Sequence, residues 1–517
     1  MYLWPILGFA ILIGSMHKWL KKITTRSIGF IGSRYFFWGV IALFVFQALW
    51  VALSFRYPMI YDERYHFGLI DYFSNQWLPW INDQSTKLDT FSALERSPYL
   101  LYHYLMSFPL RIVKSFTSDV MLQIIALRII NIGLFSAGLF VFRHLFNKKM
   151  QIKPVFTNIT LLFFVLLPSA SLVAATINYD NLILLITAVY VTIGVGIISR
   201  NKLLWHDYGL FVLFGMLGAL VKVSFIPILV AGLIFIAVHQ SIKYKSKIIK
   251  NIVKSFKRST LAMRIAVLIP LIVVGLFFME RFGVNVVYYH SLSPSCEVLL
   301  SEDRCNTNGI NLRASNLLDT IDERTPMQYP QYATEWVSRM LYYSMWTGSS
   351  LSGGGRELAN PMPVAYTVIF ILMVVSVVTF MYKFDILKKN IGFWFLFSVT
   401  CFYVIILYGS NSMEYFKYYQ LVGIQGRYLL NLLPIVMLFS ILGINYVMKN
   451  KYTLKFLLLT AVFITYVNGA GVITHIMRSS DNWYWDNQSI KQVNSKARGL
   501  LGPLILEQWY KSTSGRK

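Results

Sequence analysis

The sequence predicts an all-α polytopic membrane protein of 10–12 transmembrane helices, and three observations predict it. The 517 residues are 56% hydrophobic and only 14% charged, with mean hydropathy +0.54, whereas a soluble chain carries about 25% charged residues. The apolar residues fall in runs close to the ~20 that a helix needs to cross hydrocarbon. The 48 Lys and Arg, set against 23 Asp and Glu for a net charge of +25, lie mainly between those runs. Intrinsic disorder is excluded by the apolar content, and a disulfide scaffold by the 3 cysteines.

In chain order the predicted spans are 37–54, 120–142, 154–173, 182–198, 265–280, 362–381, 391–409, 428–447 and 454–474, with a weaker candidate at 2–16. The stretch 208–240 holds 33 residues, too long for one comfortable crossing and short for two, with Lys222 and Pro227 near its middle. Segments 17–36, 143–153, 199–207, 241–264, 382–390 and 448–455 together hold 25 Lys and Arg against only Asp207 and Asp385, which is +23 of the total +25. The positive-inside rule assigns that face to the cytoplasm. Parity then requires 208–240 to cross twice, as a broken hairpin with Lys222 near its outer turn. A single crossing would strand the eight basic residues of Lys243–Arg264 outside. That block is expected to lie on anionic cytoplasmic lipid, and no motif supports nucleic acid as a partner. In residues 1–22 the apolar part precedes Lys18, Lys21 and Lys22, the reverse of a secretory signal. It reads as a short first span or an interfacial helix, not a cleaved leader.

Two long loops, 55–119 and 281–361, fall outside, as does a tail, 475–517, expected to be helical over Gln488–Leu501. The organisation is thus one membrane domain, 1–474, followed by an extracytoplasmic tail. Cys296 and Cys305 lie in the second outer loop, where a disulfide and two free thiols are both open readings; Cys401 lies in a span. Gly353-Gly354-Gly355 reads as a hinge.

Charge in or near hydrocarbon is costly, so each instance is a functional candidate. Six places qualify: Asp62, Glu63 and His66 in Tyr61-Asp62-Glu63-Arg64-Tyr65-His66; Arg128; Asn178 and Asp180; Lys222; Glu414 and Lys417 in a short outer loop; and Gln425-Gly426-Arg427-Tyr428. All are expected in the outer half of the membrane, with nothing comparable in the inner half. Guanidinium binds phosphate oxygens bidentately and ammonium binds them as a point charge. A neighbouring carboxylate can take a proton from a hydroxyl. The residues therefore suit a phospholipid-like substrate. Each also has an ordinary reading. Arg128 can snorkel to headgroups, Asn178 and Asp180 can cap a helix, Glu414 and Lys417 can form an i,i+3 pair, and His66 can be a bonded loop residue. The sequence names no cofactor. Asp62, Glu63 and His66 supply only part of a divalent-cation site, so no metal ligand is assigned.

Four stretches carry a resemblance: Asp62-Glu63-x-x-His66; Leu167-Pro168 through Asn178-x-Asp180; Lys222-x-Ser224-x-x-Pro227; and Gln425-Gly426-Arg427-Tyr428 with Pro434. In order and spacing over roughly residues 55–440 the chain resembles the GT-C superfamily of membrane glycosyltransferases. More closely, it is similar to a bacterial group of polytopic membrane proteins placed there; Trp346 and Gly348 fit less tightly, and residues before 30 or after 475 have no match. The resemblance implies transfer of a sugar from a polyprenyl-phosphate carrier to an acceptor hydroxyl of a glycan, lipid or protein, at the outer face of the plasma membrane, usually with inversion. It makes Asp62 the general base, Glu63 its neighbour, and Arg427 with Lys222 the binders of the leaving phosphate. Two other readings stay open: a flippase or transporter of lipid-linked glycans, for which the broken hairpin argues, and a polymerase or ligase of preassembled glycans.

Overall fold

The computed structural model describes residues 22, 25–79, 84–85, 88–89, 91–345, 374–379, 381–382, 390–448, 454, 457, 460–461, 464, 471–479 and 481–504. The predicted span 2–16, most of 362–381 and 454–474, Trp346, Gly348 and the Gly353–Gly355 run lie outside the described residues.

The protein is all-α. Among the described residues the only β pairing is one isolated bridge between Phe55 and Tyr484. Six helices are long and apolar enough to cross a membrane, or seven if one bent pair counts as a span.

Local chemistry starts most of them. Ser33 accepts from Phe36 N to open α1 (Arg34–Ser54). The segment 55–119 contributes α2 (Glu63–Ser74) and α3 (Leu101–Phe116). Asp119 accepts from Met121 N ahead of α4 (Val120–His144). The predicted span 154–173 is corrected here: it is two helices, α5 (Pro154–Val165) and α6 (Pro168–Ala174), bent by 73°. Pro168 lacks an N–H and pushes Leu167 out of the helical region, so the run breaks there. Next comes α7 (Asp180–Ser199).

The stretch 208–240 breaks at Lys222, as the parity argument required, into α8 (Trp205–Val221) and α9 (Ile226–Tyr244). Lys222 itself is extended, at φ −154° and ψ 124°. The two helices fold back on each other, with Leu229 packed against Gly215 and Phe225 against Gly218. They are followed by α10 (Ile248–Lys257) and by α11 (Leu261–Phe278), which Thr260 caps. Residues 281–345 supply short helices and α12 (Tyr329–Met345); among them Cys296 and Cys305 form a disulfide.

Asn390 caps α13 (Ile391–Tyr418), which outlasts the predicted 391–409. Glu414 and Lys417 therefore sit on its last turns and not in a loop. The predicted span 428–447 begins as a 3-10 turn, Gly426–Leu429, and becomes α14 only at Leu433–Val447. The last described α-helices are α15 (Gly471–Arg478) and α16 (Gln488–Leu501), the second covering the expected residues.

The core runs between α1, α4, α5 and α7, where Phe44, Phe135 and Phe164 stack at 4.8 and 5.7 Å. It continues through Tyr190 and Phe211 at 4.1 Å. By contrast, α11 buries only Val267, the exposure expected of a helix facing hydrocarbon.

Described parts of the basic segments are tied in pairs to neighbouring elements. Asn158 donates to Ile31 O, Asn390 to Met150 O, and Lys243 to Arg200 O. One end of the bundle gathers the C-terminus of α1, the N-terminus of α7, the α8–α9 break and the 3-10 turn before α14. The tail docks there: Trp485 N donates to Ser54 O, Arg56 N to Trp483 O, and Asn494 bridges Trp50 and Ser54.

Candidate active site

Asp62 stands on an unusual turn. Tyr61 and Asp62 both take left-handed conformations, φ 67° and 62°, immediately before α2. For residues other than glycine such torsions cost about 1–3 kcal/mol each and persist only where surroundings impose them. Here Asn178 Nδ2 donates to Tyr61 O at 2.9 Å, and Glu63 Oε2 accepts from Met59 N at 2.6 Å. The turn leaves the Asp62 carboxylate 63% exposed.

Glu63 faces the other way. It is fully buried and held bidentately by Arg128, Nη2 to Oε2 at 2.8 Å and Nε to Oε1 at 2.9 Å. Arg128 also donates to the carbonyls of Ala52 and Phe55, and Glu63 accepts from Ile177 N. Arg128, expected to bind substrate phosphate, is instead occupied by protein groups, and clamps α1, the segment before α2 and the α6–α7 corner around Glu63. Glu63 belongs to the same clamp and not to the chemistry beside Asp62. Removing one partner of a buried pair leaves an uncompensated charge. Glu63→Gln should thus lower stability by about 3–5 kcal/mol in detergent melting, and Glu63→Leu with Arg128→Met should recover most of it.

Four charges from four elements form a row. Arg427 Nη2 donates to Asp62 Oδ2 at 2.9 Å, Arg427 Nε lies 4.0 Å from Asp180 Oδ2, and Lys222 Nζ donates to Asp180 Oδ1 at 2.5 Å. Carboxylate and cation alternate, so the row is neutral overall. Each cation is also set against aromatic faces, Arg427 4.7 Å from the Tyr61 ring and Lys222 between Tyr179 and Tyr428 at 4.7 and 4.5 Å. The local folds that aim them are short. The 3-10 turn of Gly426–Leu429 carries Arg427 and is tied down by Tyr403 Oη, which donates to Tyr428 O at 2.8 Å. Ahead of it Gly423 takes φ 69°, where a Cβ would sit 3.1 Å from Glu414 Oε2. Asn178 Oδ1 accepts from Asp180 N, so its helix-capping role and its grip on Tyr61 coexist.

The row is incompletely satisfied. Arg427 Nη1 and Nε, Asp180 Oδ2, Gln425 Oε1 and Asn431 Oδ1 are buried without a hydrogen-bond partner. Buried polar atoms are normally paired, and orphans clustered at one place mark where water or a ligand belongs. A cavity of about 10 Å³, room for about one water, lies among Asp180, Lys222, Tyr403, Arg427 and Asn431. Arg427 is 3% exposed, so an incoming anion would meet a desolvated guanidinium.

The other predicted residues sort clearly. Asp180, Asn178, Lys222, Arg427 and Tyr428 join Asp62; Gln425 adjoins them with its free Oε1. His66 is buried against His103, Nδ1 to Nε2 at 2.8 Å, with Tyr179 edge-on at 4.6 Å, so its ring packs beneath Tyr179 and away from solvent. Burial pushes His103 down to about 3 and holds His66 well below the usual imidazole range, aided by His103, Arg427 and Lys222. Both rings are neutral at pH 7. Lys417 is exposed, over the Tyr418 ring at 5.1 Å, and joins neither Asp62 nor Asp180 in an ion pair. Among the described residues no group of three His, Cys, Asp or Glu is placed to hold a metal. Asp62, Glu63 and His66 each face a different partner.

Sequence reasoning missed Tyr61, Tyr179, Tyr403 and Asn431. Asn431 had a usable signal, an amide inside an apolar run. The tyrosines had none, because a tyrosine near a membrane interface is ordinary.

No protein-family model matches the chain, and no curated protein matches it.

Proposed function

We propose that the protein is a membrane glycosyltransferase that moves a sugar from a polyprenyl-phosphate-linked donor to an acceptor hydroxyl, in the manner of the GT-C enzymes its motifs resemble. The observation that carries this reading is the row Asp62–Arg427–Asp180–Lys222, with spare buried N–H groups on Arg427, at one end of an apolar helix bundle. A lipid phosphate at the membrane surface reaches that depth, and its charge suits a desolvated guanidinium.

The row suggests an order of events. In the resting arrangement Arg427 holds Asp62. The donor phosphate takes the guanidinium, and Asp62, already exposed, turns to the acceptor. Asp62 then accepts the hydroxyl proton as the acceptor oxygen bonds to the anomeric carbon. The bond from that carbon to the phosphate oxygen breaks, and its electron pair stays on the phosphate, whose charge Arg427 and Lys222 stabilise. Attack opposite the leaving phosphate inverts the anomeric centre. The acceptor is a glycan, lipid or protein of the envelope, and the basic end of the bundle faces the cytoplasm, so that this site opens on the extracytoplasmic side of the plasma membrane.

Reconstitution into vesicles with a labelled polyprenyl-phosphate sugar tests the reading. The expected result is a new glycosidic bond and release of polyprenyl phosphate. Label moved between leaflets with no new bond would make the protein a flippase, and products growing by whole glycan blocks would make it a polymerase or ligase.

A further inference from the structure

The end of the bundle opposite Asp62 holds a second concavity, of about 590 Å³. Since α7 runs 20 residues from Asp180 to Ser199, about 30 Å at 1.5 Å per residue, the two sites are a membrane thickness apart.

Its walls are well fixed. The turn 200–204 is held to the end of α9 by Lys243 Nζ, which donates to Arg200 O and Asn201 Oδ1 at 3.0 and 3.1 Å. The helix α10 is anchored at Trp205, whose N donates to Ser255 Oγ at 3.3 Å and whose ring meets Phe256 at 5.0 Å. Arg264 donates to Lys257 O and Ser259 O and so shapes the turn into α11.

The lining is one-sided in charge. Lys202, Lys254, Arg258 and His206 border the cavity, and no acidic residue does. Lys202, Lys254 and Arg258 enter no ion pair among the described residues, and Tyr244 Oη is buried without a partner. The apolar flank of the cavity is α11, whose first turn carries Met263. On α10 the residues Ile249, Ile252, Val253 and Phe256 share one side and Lys250, Lys254 and Lys257 the other. Ile249 is 76% and Val253 45% exposed, and Met263, at the mouth of the cavity, opens the bare face of α11.

We infer that this cavity binds the headgroup of an anionic membrane phospholipid, its phosphate between Lys202, Lys254 and Arg258 and its acyl chains along Met263 and the exposed face of α11. Charge complementarity demands an anion, and the exposed apolar flank selects a lipid over a soluble phosphate. The site does not depend on the glycosyltransferase reading.

The test uses the full chain in maltoside micelles, titrated with dioleoyl phosphatidylglycerol and read by native mass spectrometry. Lys254→Gln with Arg258→Gln should weaken binding by roughly 30-fold, the loss expected of two surface cations. Lys250→Gln with Lys257→Gln removes the same charge from α10 outside the cavity and should change binding by less than about threefold. For the unaltered protein, phosphatidylcholine should bind at least roughly tenfold more weakly. Equal weakening in the two double variants would overturn the site in favour of a diffuse basic face. Parity of the two lipids, or displacement of phosphatidylglycerol by an equal concentration of inorganic phosphate, would overturn the assigned occupant.

Discussion

Asp62→Asn is expected to abolish transfer, by about 10²–10⁴-fold, while the protein melts at its usual temperature. Three features separate the two effects. The carboxylate is 63% exposed, so no buried charge is left behind. Asparagine tolerates the left-handed conformation that Asp62 adopts. An amide oxygen can still accept from Arg427 Nη2, which keeps the loop in place. What the amide cannot do is take a proton. Substantial activity in this variant would remove Asp62 from the role of base, and a large fall in melting temperature would make its role structural.

Arg427→Gln should cost about 10²–10³-fold in turnover, the usual effect of losing one donor to developing negative charge. Asp180 keeps its contact with Lys222, so the fold should survive. Arg427→Lys should fail to restore the rate, because one ammonium cannot serve Asp62 or a phosphate through a planar fork. Near-normal turnover with lysine would mean that only charge matters at this position.

The legible and illegible parts of the molecule divide along physical lines. The broken hairpin at Lys222 was readable because charge parity across the whole chain demanded it; Pro227 lies past the break, in the first turn of α9. The helix Gln488–Leu501 was readable from its pattern, though not its docking on Trp50 and Ser54, which depends on residues more than 400 positions away. Four of the motifs that stood out as polar intrusions, at Asp62, Asp180, Lys222 and Arg427, meet in space. Arg128 misled, since an arginine in an apolar run announces a partner without naming it, and that partner was Glu63. The bend at Pro168 fell inside a run that hydropathy reads as one span, because hydropathy records length and not direction.

In the proposed reaction Arg427 exchanges the Asp62 carboxylate for a lipid phosphate. Equilibrium binding of a polyprenyl phosphate to the solubilised protein tests it most directly, because it bypasses catalysis. Arg427→Gln should weaken binding by more than about tenfold, whereas Asp62→Asn, freed of the competing carboxylate, should bind at least as tightly as the unaltered protein. Unchanged affinity in Arg427→Gln, or an equal loss in Asp62→Asn, would contradict the exchange and with it the proposed chemistry.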